Sequence, residues 1–390
     1  MLQILVILVS ACAPQAVVGS PRPPSAPAAA LASTTPPVRS APPSESTGPL
    51  PTAVPTPSLP PTNAAPTALR FVDRLHGWIG TDDGILGTAD GGSTWERQLA
   101  SGSITKIWAY DRTRAWALAG LSALYRTQDG RHWTSVAQLP FPLIIDLDVY
   151  SPDLVFAIGV APAPDGPAPA ARFGNVLRSE DGGGSWQTVG THTMWSVCFD
   201  TPADGIGAEG KQVYRTADGG RTWLPLAVLA ITDDGPWYPT LGCPSGTNDR
   251  VQVVGGYAAL THIPYLVFRT TDAGRTWNLE FREGYTLGTT TPPNTPQLGT
   301  RPSFFGAMAG GRTWFITCSP GAAALEFVLL GPTGDALARG AVPIPDCARS
   351  GQVIDQSNVV AISGGPTPTV VLTDDGGRTW RRIYPAVVRS

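Results

Sequence analysis

The chain has 390 residues, 42% of them hydrophobic, and carries a formal net charge of −3 at pH 7 with an isoelectric point near 5.8. A chain of this length and composition can bury a large core. Its weak negative charge offers no basic field to attract nucleic acid or an anionic membrane surface. Nucleic acid is therefore excluded as an expected partner.

The first twelve residues, MLQILVILVSAC, contain an apolar run from Leu2 to Val9 followed by Ser10, Ala11 and Cys12. This segment resembles a bacterial lipoprotein signal, in which the chain is cut before a cysteine that is then lipidated, although no Lys or Arg precedes the run. The run is too short for a transmembrane helix, which needs about 20 apolar residues. We expect residues 1–12 to be a signal peptide ending at lipidated Cys12, on the outer side of the cell membrane. The alternative is a short buried helix or strand.

Residues 13–67 have a different composition from the rest of the chain. They contain sixteen Pro and only three charged residues, Arg22, Arg39 and Glu45, whereas all twelve Trp lie after residue 67. Such a segment cannot bury a core and favours extended, polyproline-like conformations. We predict a disordered linker over 13–67.

A repeated motif dominates the remainder of the chain. It occurs six times, as TADGGSTW (88–95), TQDGRHW (127–133), SEDGGGSW (179–186), TADGGRTW (216–223), TTDAGRTW (270–277) and TDDGGRTW (373–380). Its aspartates and tryptophans are Asp90, Asp129, Asp181, Asp218, Asp272, Asp375, Trp95, Trp133, Trp186, Trp223, Trp277 and Trp380. The aspartates are 39, 52, 37, 54 and 103 residues apart, so the last interval is two repeats long. GPTGDALARG (331–340) lies where a decayed copy is expected, which gives seven units.

The motif has the chemistry of a tight turn between two strands. The Asp carboxylate accepts backbone N–H groups of its own turn, Gly supplies positive φ, and the Trp fills the gap between neighbouring sheets. Further β-rich runs precede each motif, which indicates four strands per unit. We therefore predict that residues 68–390 form an all-β, seven-bladed β-propeller with four-stranded blades and Asp-box turns.

The segment ALRFVDRLHGWIGTDDGILGTADGGSTWERQL (68–99) resembles a blade of the BNR/Asp-box repeat proteins. Within that group it is most similar to the photosystem II assembly and stability factor family, and sortilin-type receptors and several glycoside hydrolases share the box. The photosystem resemblance implies a non-catalytic scaffold that binds membrane-protein subunits, with no cofactor. Because the boxes are structural, they say little about activity.

Four cysteines follow Cys12, namely Cys198, Cys243, Cys318 and Cys347. Chain order favours the disulfides Cys198–Cys243 and Cys318–Cys347, because each pair falls in neighbouring repeats. Four buried free thiols are the alternative. No Cys/His spacing suggests a metal site.

The loops opposite the boxes carry the insertions of the predicted propeller, in residues 161–174, 231–239, 257–265 and 281–302. With nearby strands they bring aromatic and ionisable side chains to one sector: His192, Asp233, Asp234, Trp237, Tyr238, His262, Tyr265, Glu283 and Tyr285. Such a mixture suits a groove for a peptide or a carbohydrate. Variable loop decoration is the alternative.

An enzyme is the competing class of function. The sialidase branch of Asp-box proteins carries an Arg-Ile-Pro segment, and the nearest segment here, His262-Ile263-Pro264, lacks the arginine. Another glycosidase would need two carboxylates facing each other across a cleft. We expect a monomeric, non-catalytic binding protein whose partner is a membrane-protein client or a polysaccharide, with a secreted glycoside hydrolase as the alternative.

On the box side, Arg131, Arg221, Arg275 and Arg378 occupy equivalent box positions. They could form a ring that binds an acidic protein surface. Solvated turn residues are the alternative, because isolated surface charges contribute little.

Overall fold

The computed structural model describes residues 64–385, with gaps at 137–138, 140, 161–173, 232–236, 243–249, 257–264, 283–300, 309, 319–324, 334, 345–347, 349 and 365–366. The chain divides into two compact units, Met1–Thr56 and Pro57–Ser390, and the described residues belong to the second. The predicted signal peptide and most of the predicted linker lie outside them. None of the described segments is a helix long and apolar enough to span a membrane.

The described strands form four-stranded antiparallel sheets, numbered one to seven in chain order. Sheets one to three comprise β1 (Pro66–Phe71), β2 (Gly77–Thr81), β3 (Gly84–Thr88), β4 (Glu96–Ala100); β5 (Ile104–Ala109), β6 (Ala115–Ala119), β7 (Ala123–Thr127), β8 (Trp133–Ser135); β9 (Leu143–Val149), β10 (Val155–Val160), β11 (Gly174–Ser179) and β12 (Gln187–Met194). Sheets four and five comprise β13 (Ser196–Phe199), β14 (Gly205–Glu209), β15 (Gln212–Thr216), β16 (Leu224–Val228); β17 (Trp237–Gly242), β18 (Arg250–Gly256), β19 (Tyr265–Thr270) and β20 (Asn278–Arg282). Sheets six and seven comprise β21 (Arg301–Met308), β22 (Arg312–Cys318), β23 (Leu325–Leu330), β24 (Ala336–Val342); β25 (Ser350–Val353), β26 (Val359–Ile362), β27 (Val370–Thr373) and β28 (Arg381–Tyr384).

The sheets are arranged as a β-propeller, so the predicted all-β class is confirmed. The first strand of a sheet contacts the first strands of its neighbours, as β1 does with β5 and β25, and these strands line a central channel. The fourth strands are outermost and largely exposed, as the pattern of β16 shows. The core consists of separate apolar clusters between adjacent sheets, and the ring closes where Leu69 and Phe71 of sheet one pack with Val360 and Ile383 of sheet seven.

Each Asp box joins the third and fourth strands of its sheet. In the first box, Thr94 donates to Asp90 through its backbone N–H (2.9 Å) and its hydroxyl (2.6 Å), and Thr88 Oγ1 donates to Asp90 Oδ1 at 2.9 Å. Gly91 and Gly92 both have positive φ, which favours glycine. The carboxylate thus replaces the backbone partners that a tight turn leaves unsatisfied.

Hydrogen bonding holds the box carboxylates in their charged form. The pKa of Asp181 is lowered to about 2, first by the backbone N–H of Ser185, with burial opposing and the Ser185 and Ser179 hydroxyls adding to the effect. The pKa of Asp218 is also lowered to about 2, mainly by the Thr222 hydroxyl and N–H. The box turns therefore depend on ionised aspartates.

The box tryptophans pack between neighbouring sheets. Trp133 lies in the cluster between sheets one and two, Trp223 in that between sheets three and four, and Trp380 against that between sheets six and seven. The Trp95 indole also donates to the Ile383 carbonyl at 2.7 Å across the closure of the ring. Each box therefore fixes its own turn and one junction between sheets.

The prediction of a seven-bladed propeller with Asp-box turns needs a correction: there are six Asp-box blades, not seven. Sheet six, β21–β24, is completed without a box. Its third and fourth strands are joined by a turn in which Gly331 N donates to Asp335 O at 2.8 Å and the Thr333 hydroxyl donates to the Asp335 carboxylate. Asp335 follows this turn, whereas a box aspartate precedes its glycines, so the turn is of a different type.

Candidate functional site

The strand register defines equivalent positions around the central channel. Phe71, Ala109, Val149, Phe199 and Val353 each pair with the first residue of the second strand of their sheet. The residues one position earlier in the chain form a first level: Arg70, Trp108, Asp148, Cys198 and Gln352. The residues three positions earlier form a second level: Ala68, Lys106, Asp146, Ser196 and Ser350. These two levels carry most of the polar side chains of the inner strands.

At the first level, side chains bind the backbone of the next sheet. Gln352 accepts a hydrogen bond from Phe71 N and donates one to Phe71 O, both at 2.9 Å, and so connects sheet seven to sheet one. Asp148 Oδ2 accepts from Phe199 N at 2.8 Å and connects sheet three to sheet four. Polar groups at this level hold the ring together.

The second level continues the same arrangement across sheets two to five. Lys106 Nζ donates to Ile145 O at 2.5 Å, and Ser196 Oγ donates to Asp146 Oδ2, also at 2.5 Å. Ser196 Oγ in turn accepts from Leu241 N at 3.2 Å. We call Lys106, Asp146 and Ser196 the channel ladder.

Asp146 is a channel residue whose pKa is shifted. Desolvation by burial raises its pKa, while the nearby Lys106 charge and the Ser196 hydroxyl act in the opposite direction. A carboxyl group with a raised pKa is a general-acid candidate in a hydrolase, so Asp146 is the one described residue that favours chemistry in the channel.

Arg70, in sheet one, differs from its equivalents. It is exposed to solvent, and desolvation by the surrounding protein lowers its pKa. Within the described ranges it has no hydrogen bond or ion pair. Arg70 is thus an available cation among side chains otherwise used for structure.

A second polar cluster lies at the edge of the propeller that carries the insertions, called here the insertion edge. This edge is formed by the connections between second and third strands and between consecutive sheets. His192 Nε2 lies 3.2 Å from Glu209 Oε2, and the Tyr214 hydroxyl donates to the same oxygen at 3.4 Å. The rings of His192 and Tyr214 are in contact, with centroids 4.2 Å apart. Burial and the Glu209 charge raise the pKa of Tyr214.

The sequence predicted His192 as a site residue but not its partners Glu209 and Tyr214. These two residues flank the short turn between β14 and β15, and nothing in their spacing marks them. Of the other predicted binding residues, Asp233, Asp234, His262, Glu283 and Tyr285 lie outside the described residues. Trp237, Tyr238 and Tyr265 begin strands β17 and β19, and their side chains lie outside the described part.

Cys198 is buried on β13 and is disulfide-bonded. Cys243 and Cys347 lie outside the described residues, as does the side chain of Cys318, so the pairing stays a prediction. Cys12 also lies outside them.

The box-edge arginines make local contacts. Arg131 lies 3.3 Å from Glu96, Arg221 donates to Asp218 O at 2.8 Å, and Arg275 reaches Asp272 O only at 3.5 Å. Within the described part of the chain, no three acidic, His or Cys residues are grouped so as to hold a metal ion.

The fold and these clusters define a β-propeller with a polar channel and one edge that carries the longer connections. No protein-family model and no curated protein match the sequence. Among solved structures, that of YCF48 bound to a D1 peptide is similar over 83% of both chains, with 16% identity and a TM-score of 0.35.

Two glycoside hydrolase structures of the GH74 class are also similar. An ancestral GH74 enzyme shows 14% identity and a TM-score of 0.50 over 83% of this chain and 47% of that chain. The GH74 xyloglucanase from Xanthomonas campestris shows 15% identity and a TM-score of 0.40 over 82% and 45%. The chain thus spans about half the length of these enzymes, and the likeness shows the propeller fold alone.

Proposed function

We propose that this chain is a non-catalytic propeller that binds a protein client at the cell surface, where lipidated Cys12 and the linker 13–67 hold it. The observation that carries this proposal is the use of the channel's polar groups. Lys106, Asp146, Ser196 and Gln352 are all engaged in hydrogen bonds between sheets. A catalytic channel would instead keep such groups free to meet a substrate.

Binding is assigned to the insertion edge. His192, Glu209 and Tyr214 are half-buried there, and the four insertion segments connect strands at the same edge. Aromatic and ionisable side chains on loops held by a rigid scaffold are typical of protein-binding surfaces. The predicted site residues in these segments would extend the same surface.

Site-specific photo-cross-linking in membranes of the native host tests this proposal. Benzoylphenylalanine replaces Thr191, an exposed neighbour of His192, and in a matched control it replaces His132 on the box edge. We expect a discrete cross-linked membrane protein from position 191 and none from position 132. Equal, unspecific labelling from both positions would contradict the proposed binding edge.

The anchor is tested separately. Cys12→Ser should move the protein from the membrane fraction to the soluble fraction, because no lipid can then be attached. The matched Ser10→Ala variant keeps a small residue two positions before Cys12 and should stay with the membrane. An unchanged distribution of the Cys12→Ser protein would remove the proposed tether while leaving the binding edge untouched.

A glycoside hydrolase is the second candidate, favoured by the raised pKa of Asp146. Asp146→Asn keeps an acceptor for Ser196 but abolishes proton donation. A hydrolase using Asp146 would lose activity on polysaccharide by about 10²-fold or more, whereas the binding protein would keep its cross-link. Any hydrolysis that Asp146→Asn removes would favour the enzyme.

A further inference from the structure

Four of the seven junctions between the described sheets share one contact on the box edge: a side-chain donor of one sheet reaches a carbonyl in the turn between the third and fourth strands of the next. Between sheets one and two, Trp78 Nε1 donates to Gly130 O at 3.3 Å. Arg381 Nη2 donates to Gly91 O at 2.6 Å, and Arg126 Nη1 donates to Gly182 O at 3.1 Å. Trp116 Nε1 donates to the same Gly182 O at 2.9 Å. Arg269 makes the equivalent contact to Pro332 O, at 3.2 Å, in the turn of sheet six.

The junctions that lack this contact are filled in other ways. Between sheets three and four, Arg178 Nη1 donates to Pro202 O at 2.7 Å. Between sheets six and seven, the Phe327 ring packs so close to Gly377 that a Cβ there would lie 2.4 Å from Cε1. In both places the space between the box turn and the preceding sheet is occupied.

The junction of sheets four and five is different. Ile206 stands where sheets one and two have Trp78 and Trp116. Arg215, the equivalent of Arg126, bonds to Asp204 of its own sheet at 3.1 Å. The carbonyl of Ala273 has no hydrogen bond within the described ranges, whereas its equivalent Gly91 O receives one and Gly182 O receives two.

The sequence gives a physical reason. The fifth box reads TTDAGRTW, with Ala273 in place of the usual glycine, and Ala273 keeps the positive φ of 58°. A Cβ at Gly182 would lie 2.9 Å from Arg126 Nη1, and one at Gly91 would lie 3.1 Å from Arg381 Nη2. The Ala273 methyl therefore crowds the place that a guanidinium from sheet four would take, and Arg215 turns to Asp204 instead.

A cavity of about 250 Å³ results, lined by Asp200, Asp204, Gly205, Ile206, Arg215, Leu226, Ala273 and Arg275. Ile206 and Leu226 supply aliphatic surface, while the Ala273 carbonyl and the Asp204 carboxylate supply acceptors. Two arginines and two aspartates balance in formal charge, so no net positive field opposes an incoming cation.

We propose that this cavity binds an arginine side chain of a protein partner, at the box edge and therefore apart from the client surface assigned to the insertion edge. The guanidinium donates to the Ala273 carbonyl and to the Asp204 carboxylate, and its methylene stem packs on Ile206 and Leu226. An arginine from outside is not tethered to β15, so it enters beside the Ala273 methyl. The other junctions show that this protein already places guanidinium groups against box-turn carbonyls.

The probe is the peptide acetyl-Gly-Arg-Gly-amide, added to the full chain carrying Cys12→Ser so that it is not lipidated. Binding is read from the methyl NMR signals of Ile206 and Leu226. Citrulline in place of arginine keeps the shape but removes the charge, and we expect about tenfold weaker binding or more. A lysine peptide, which lacks the planar fork, should lie between the two. An arginine peptide that binds no better than the citrulline peptide overturns the proposal.

Two variants close the cavity in different ways. Ile206→Trp introduces the tryptophan of sheets one and two and should reduce arginine-peptide binding at least tenfold, whereas Leu224→Trp, on the exposed outer strand β16, should leave it unchanged. Ala273→Gly removes the crowding methyl, lets Arg215 reach across, and should give the same loss if Ile206→Trp fails to fold. Undiminished binding by the folded variants overturns the proposal. Cross-linking from position 191 does not depend on this cavity, so its outcome reports on the proposed function separately.

Discussion

Closure of the propeller can be tested at Gln352. Its side chain makes two hydrogen bonds to Phe71, both at 2.9 Å, at the junction of the last and first sheets. Gln352→Leu keeps the volume but removes both bonds and leaves a partly buried N–H and C=O without partners. Each bond contributes about 1 kcal/mol net, and an unsatisfied backbone group costs about 1–3 kcal/mol. We expect a loss of about 3 kcal/mol in the free energy of unfolding.

The expected change is measurable by thermal unfolding followed by circular dichroism. At ~2 °C per kcal/mol, appropriate to the upper size range of single domains, Tm should fall by about 6 °C. Gln352→Glu keeps the acceptor for Phe71 N but sets a carboxylate against Phe71 O, so it should be more destabilising at pH 7 than at pH 4. Gln187→Leu, at an exposed position on β12, is the matched control and should shift Tm by about 1 °C or less. A Gln352→Leu protein with the same Tm as the wild type would refute the view that the hydrogen bonds between Gln352 and Phe71 close the ring.

Three further predictions follow from the box turns. The pKa values of Asp181 and Asp218 are lowered to about 2, so the stability that these carboxylates provide is present above about pH 4 and is lost as the pH falls toward 2. Urea titrations at several pH values should show a loss of about 1 kcal/mol per exposed carboxylate. The Asp181→Asn protein should lose less stability over the same pH range. Gly219→Ala places a Cβ 2.5 Å from Arg178 Nη1 at a φ of 73°. It should lower the free energy of unfolding by about 2 kcal/mol more than Gly210→Ala, because Gly210 also has positive φ but has open space around it. Equal losses in urea unfolding would show that the arginine moves aside. Trp116→Phe removes the buried bond to Gly182 O and should lower stability by about 1–2 kcal/mol in the same assay, while an unchanged urea midpoint would mean that Arg126 satisfies that carbonyl alone.

The sequence predicted the propeller and its box turns because the box is local. The residues that make the contact, such as Asp90 and Thr94, stand four positions apart, so spacing alone reveals their chemistry. The predicted number of Asp-box blades was wrong because the same local analysis assigned a box to sheet six. GPTGDALARG lies where the interval between boxes places a seventh copy, but its aspartate follows the turn instead of starting it.

The channel ladder could not be predicted. Lys106, Asp146, Ser196 and Gln352 differ in type and lie far apart in the chain, and only the strand register shows that they occupy equivalent levels. The cavity between sheets four and five left one readable signal, the Ala273 that interrupts the glycine pair of the fifth box. The effect of this alanine could be inferred only from the tertiary structure, in which Arg126 and Arg381 reach the equivalent turns.

Among the described strands, those of each sheet follow one another in the chain, and the last sheet consists of β25–β28 without a strand from the start of the described ring. The two ends of the described ring nevertheless meet, since the Tyr384 hydroxyl donates to Ala64 O at 2.7 Å. The geometry of the ring therefore does not determine which sheet must come first in the sequence. A circularly permuted gene, with these ends joined by a short peptide and new termini opened in any turn between sheets, should encode the same propeller.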